Sequence, residues 1–94
     1  MAKRIPAHPG KLLKREMAAR KLSANRLAIE IGVPANRITA IVNAKRAVTP
    51  ETALRLGVYF STGPEVWANM QLNHDIGVAR EKFEAEIKRT VRAA

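Results

Sequence analysis

Apolar residues recur along this chain at spacings of three and four, and no stretch alternates apolar and polar residues between turn signals. That pattern predicts helices and no strands. Leu13 and Met17 mark a first helix that opens at Pro9-Gly10 and runs from about Lys11 to Arg20. Leu27, Ala28 and Ile31 are the stripe of a second, with Ser23 as its N-cap and Gly32 at the left-handed position past its end. After the turn Val33-Pro34, a third helix from about Ala35 to Asn43 places Ile38, Ile41 and Val42 at i, i+3 and i+4. The polar, basic loop Asn43-Ala44-Lys45-Arg46 follows. Thr49 then caps a fourth helix with Pro50 at its first position. Ala53, Leu56 and Phe60 form its apolar face, flanked by Leu54 and Val58. Ser61-Thr62-Gly63-Pro64 stops it and opens a fifth, with Pro64 expected just inside.

The fifth helix carries one long stripe, Leu72, Ile76, Ala79, Phe83, Ile87 and Val91, at spacings of four, three, four, four and four. Gly77 lies within it, and a glycine there costs about 1 kcal/mol relative to alanine, so a bend or break is expected nearby. The fold class is all-α, with five helices in a single domain over residues 1–94. A chain of this length buries roughly 60–65% of its unfolded surface, and packing against a second copy adds to a modest core. The stripe has little core left to cover. The region 64–94 is therefore assigned to dimerisation or partner binding, with Trp67, Met70, Leu72, Ile76 and Phe83 as its interface candidates. Trp67 also reads as a core residue that ties the last helix to the rest.

Composition narrows the chemistry. The chain has no cysteine, which excludes disulfides and thiolate metal sites and fits a reducing cytoplasm. Its two histidines, His8 and His74, fall in separate elements without a carboxylate cluster, so no metal is expected; His8 belongs to the turn that starts the first helix. No nucleophile grouping and no phosphate-cradling glycine loop is present, and neither an enzyme nor a cofactor is expected. Glu81, Glu84 and Glu86 with Lys82, Lys88 and Arg89 read as a solvated face of ion pairs. No apolar run approaches the roughly 20 residues of a membrane span, and the N-terminus from Met1 to Pro6 lacks a hydrophobic signal core. Residues 1–46 hold eleven basic residues against Glu16 and Glu30, a net +9, whereas residues 47–94 are neutral with six of each sign. One half thus attracts a polyanion.

The unit from Ser23 to Val42 carries the most specific signal: a short helix centred on small Ala28, a glycine turn, and a second short helix. Small residues allow the steep, close crossing of a helix-turn-helix, here about residues 23–43. With its apolar side buried, the third helix is expected to show Ala35, Asn36, Arg37, Thr39 and Ala40 to the bases of double-stranded DNA. There arginine suits guanine, asparagine suits adenine, and small or methyl groups suit thymine. Ser23, Asn25 and Arg26 at the start of the second helix, and Asn43, Lys45 and Arg46 beyond the third, are the expected phosphate contacts. Asn43 reads equally as a helix C-cap. A sequence-blind architectural protein is the rival reading of the charge.

Ser23 to Arg46 resembles the helix-turn-helix of the XRE/Cro family of phage and bacterial repressors. His8-Pro9-Gly10, Gly32-Val33-Pro34, Ile41-Val42-Asn43, Thr52 to Leu56 and Gly63 to Gln71 are similar, more narrowly, to the HigA/VapI antitoxins. The likeness spans roughly residues 5 to 80 in order and departs from the family pattern at Val66, where an aromatic is usual, and at Ala44, where glycine is common. It implies a Cro/lambda-repressor-like domain with a long C-terminal helix. It further implies a homodimeric repressor on an inverted-repeat operator of its own operon, which also silences a HigB-type ribonuclease toxin. A stand-alone regulator without a toxin is the alternative. The two recognition helices are then expected about 34 Å apart.

Overall fold

A computed structural model describes residues 5–94; Lys3, Arg4 and the rest of the first four positions, on which part of the N-terminal reading rests, lie outside the described residues. Five helices follow one another: α1 (Pro9–Ala19), α2 (Ala24–Ile31), α3 (Ala35–Val42), α4 (Pro50–Tyr59) and α5 (Glu65–Thr90). No strand occurs among the described residues.

The helix starts have chemical causes. Ser23 Oγ accepts the Arg26 N–H at 3.0 Å and Thr49 Oγ1 accepts the Thr52 N–H at 3.3 Å, each cap stabilising by about 1 kcal/mol. At α1, which begins at Pro9 rather than Lys11, the cap is His8, whose Nδ1 accepts the Gly10 N–H at 2.9 Å. Burial, then the neighbouring His74, hold the His8 ring below the ordinary histidine range, which favours its neutral form, and the Gly10 N–H selects the tautomer in which Nδ1 accepts. Gly32 ends α2 at φ 74° and returns its N–H to the Ala28 carbonyl. Pro64 differs from expectation: it is the N-cap of α5, and Glu65 is the first helical residue.

α3 packs on both α1 and α2, α4 joins α2 to α5, and α5 returns to α1. Leu13, Leu27, Ile38, Ile41, Leu56 and Trp67 are wholly buried where these helices meet. Trp67 lies 5.7 Å from the Phe60 ring, and its indole N–H donates to Thr62 Oγ1 at 3.0 Å. A large ring is thereby buried with its polar atom satisfied. Of the two readings of Trp67 the core one holds and the interface one is corrected: no part of it reaches the surface, because it fills the junction of α4 and α5.

The break expected near Gly77 is absent, and α5 runs 26 residues as one helix. Gly77 instead serves a close approach. A Cβ there would lie 2.6 Å from Pro6 Cδ, so the glycine lets the segment before α1 lie against α5. From Arg80 onward every described residue except Glu84 is exposed, and the molecule is drawn out to 49 × 27 × 20 Å.

Candidate nucleic-acid interface

α3 turns Ile38 and Ile41 wholly inward, with Val42 half-buried beside them. Its outer stripe is Asn36, Thr39, Ala40 and Asn43, at spacings of three, one and three along one face. Asn36, Thr39 and Asn43 are exposed, and Ala35 and Ala40 are half-exposed. Thr39 Oγ1 donates back to the Ala35 carbonyl at 3.4 Å. That stripe offers amides, a methyl-bearing side chain and a small residue, the chemistry that reads base edges in the major groove.

Arg37 departs from the expectation that it shares this stripe. It stands at the flank of α3, its side chain only 22% exposed, and its Nη1 donates to Glu51 Oε1 of α4 at 3.3 Å. One helical step from Asn36 carries it about 100° round the axis, toward α4. The same Glu51 meets Arg55 at 3.3 Å, and Arg55 Nη1 donates to the Ile31 carbonyl at the end of α2, at 2.8 Å. These side chains link α2, α3 and α4. The Arg55 hydrogen bond and charge, followed by Arg37, hold the Glu51 carboxyl below the usual carboxylate range. Sequence reasoning missed Glu51 and Arg55, although their i, i+4 order is the favourable one for a helical ion pair.

The expected phosphate contacts flank the stripe. Ser23, Asn25 and Arg26 are exposed at the start of α2. Ser23 Oγ is used as an acceptor by the cap, which leaves its O–H able to donate to an anion. Arg26 pairs with Glu30 at 3.1 Å while its side chain stays 65% exposed. Past α3, Asn43 is the C-cap, as one of its two readings had it, and its side chain remains outside. Ala44 adopts φ 58°. Its N–H goes to the Ile41 carbonyl and the Lys45 N–H to the Ala40 carbonyl, at 2.9 and 2.8 Å. This is a Schellman closure built without its usual glycine. It leaves Lys45 and Arg46 exposed beside the α3 stripe.

Of the expected interface residues, Leu72, Ile76 and Phe83 are exposed on α5 and Met70 is half-buried. Their stripe extends back through Ala68 and Glu65 to a shallow groove of about 260 Å³ lined by Pro50, Ala53, Leu54 and Pro64 as well. Leu54, expected to flank the apolar face of α4, is exposed and lines this groove. No helix among the described residues is long and apolar enough to cross a membrane.

No family model matches the chain. It is 40% identical over 79 residues to virulence-associated protein I of Dichelobacter nodosus, covering 82% of this chain and 73% of that protein. The structure is similar to that of an addiction module antidote protein of the HigA family from Coxiella burnetii. There the TM-score is 0.92 at 42% identity, over 97% of this chain and 100% of that one. It is also similar to the Pseudomonas aeruginosa antitoxin HigA solved with the higBA promoter, with TM-score 0.89, 30% identity, and coverage of 93% and 96%.

Proposed function

Since the chain belongs to the HigA family of helix-turn-helix antitoxins, we propose that it is a sequence-specific repressor of its own operon that also neutralises a HigB-type ribonuclease toxin. The relative from Pseudomonas aeruginosa, solved on promoter DNA, supports the first half of this reading. The observation that carries it is the exposed stripe of α3, Asn36, Thr39, Ala40 and Asn43, flanked by cations at the start of α2 and in the loop after α3. Bases are read by Asn36 foremost, with Thr39 and Ala40, while Ser23, Asn25, Arg26, Lys45, Arg46 and, at the end of the stripe, Asn43 hold the backbone. Arg37 supports the reading helix from its flank.

Two copies meet along the α5 stripe, continued into the groove at Leu54, and present their α3 helices to the halves of an inverted repeat. On this reading the protein works in the cytoplasm, where an operator is met. The test is binding to the DNA upstream of its own reading frame against a scrambled duplex, with Asn36→Ala beside the wild type. Wild type is expected to prefer its own sequence by about a hundredfold or more. Asn36→Ala is expected to lose about 1–3 kcal/mol of that discrimination. Equal binding of both duplexes by the wild type overturns the reading.

A further inference from the structure

On a flank of α5, round from its apolar stripe, polar side chains reach the loop that follows α3. Gln71 is buried there, and its Oε1 accepts the Val48 N–H at 2.8 Å. Its Nε2 donates to Asp75 Oδ1 one turn further on, at 2.9 Å. That second bond fixes which way round the amide sits, because the carboxylate can only accept. From the other side, Arg46 and the ring of buried His8 line the same small pocket. His74 of α5 stands edge-on to that ring at 5.1 Å, and its Nδ1 lies 2.8 Å from the Pro6 carbonyl oxygen. With the Lys45 N–H tied to Ala40, the segment 44–48 is held at its start and its end, while the Lys45 and Arg46 side chains stay outside.

We propose that Gln71 is the positioning residue of the phosphate grip: it touches no DNA, but by binding the Val48 N–H it sets where Lys45 and Arg46 stand. This rests on the reading that those two cations contact phosphates. An amide suits the task, since it supplies an uncharged acceptor to a buried N–H and a donor to Asp75. A buried apolar side chain at position 71 would leave the Val48 N–H unpaired, and the loop would move to find water.

Gln71→Met keeps the length of the side chain and removes both hydrogen bonds. Binding is measured on the upstream duplex and its scrambled counterpart across a series of salt concentrations. The slope of log K against log salt counts phosphate contacts, provided the folded fraction is the same at every salt concentration, which circular dichroism of each variant across the series checks. Each lost contact lowers its magnitude by about 0.9. Gln71→Met is expected to lower it by about 2 to 4, one or two contacts in each of the two subunits on the operator, with the preference for the upstream sequence kept. In a Lys45→Ala, Arg46→Ala background it is expected to add nothing. Asp75→Asn, whose Oδ1 still accepts from Gln71, is expected to keep the wild-type slope. Gln71→Glu, which retains the acceptor but sets two carboxylates together, is expected to fall between, and serves if Gln71→Met does not fold. A reduced slope for the Lys45→Ala, Arg46→Ala protein with no change for either Gln71 variant overturns the positioning role alone. An unchanged slope in the protein lacking both cations overturns the phosphate reading of the loop, and the proposal with it.

Discussion

Ala44 holds a backbone conformation, φ 58°, that costs an L-residue with a Cβ about 1 kcal/mol. The loop adopts it regardless, because the closure onto Ile41 and Ala40 satisfies two end carbonyls of α3. Ala44→Gly is therefore expected to stabilise the fold by about 1 kcal/mol, seen as a higher urea midpoint with an unchanged m-value. A lower midpoint would mean that the left-handed turn is not strained. Residues whose roles depend on near neighbours were legible in the sequence: Ser23 and Thr49 as caps, Gly32 as a stop, and Ala28 as the close contact. Arg37 was not, because its partner Glu51 lies fourteen residues away on another helix. Periodicity divides a helix into an inner and an outer face, and it says nothing about which flank meets a neighbour.

At the scale of elements, α5 shows what local pattern omits. Helix propensity reads Gly77 as a weakness and favours alanine there by about 1 kcal/mol. The packing reads it as a contact, since the added methyl would press on the ring of Pro6, which has little freedom to yield. Overpacking of this kind costs about 1–3 kcal/mol. Gly77→Ala is thus expected to leave the folded protein no more stable, or less stable by up to about 2 kcal/mol, while raising helicity in a peptide spanning α5. Thermal melts of the protein and circular dichroism of the peptide check the two halves. A raised melting temperature would show that the 5–8 segment moves aside freely. The helices themselves were legible from spacing together with their caps and stops, and the α5 stripe from spacing alone. The hold of α5 on Pro6, His8 and Val48 was not, since those contacts span between 23 and 68 residues of chain.

For the whole molecule, the net positive charge and the long apolar stripe fall in different halves of the chain. The basic half carries the α3 stripe, and the neutral half carries the exposed stripe of α5. Phe83, 52% exposed, stands on the part of α5 that has left the body of the molecule. Phe83→Glu is expected to shift the protein toward monomer in sedimentation and to reduce its affinity for a two-half-site duplex to about that for one half-site. A dimer that survives it would place the contact nearer Leu54 and Ala68. The same protrusion bears on how long the chain survives. A helical segment with almost no tertiary contact opens at low free energy, and the turns around Lys82, Lys88 and Arg89 are exposed to any protease that captures the opened form. Association covers that segment and suppresses its opening, so a lone subunit is cut back sooner than an assembled one, and the lifetime of the chain reports its company.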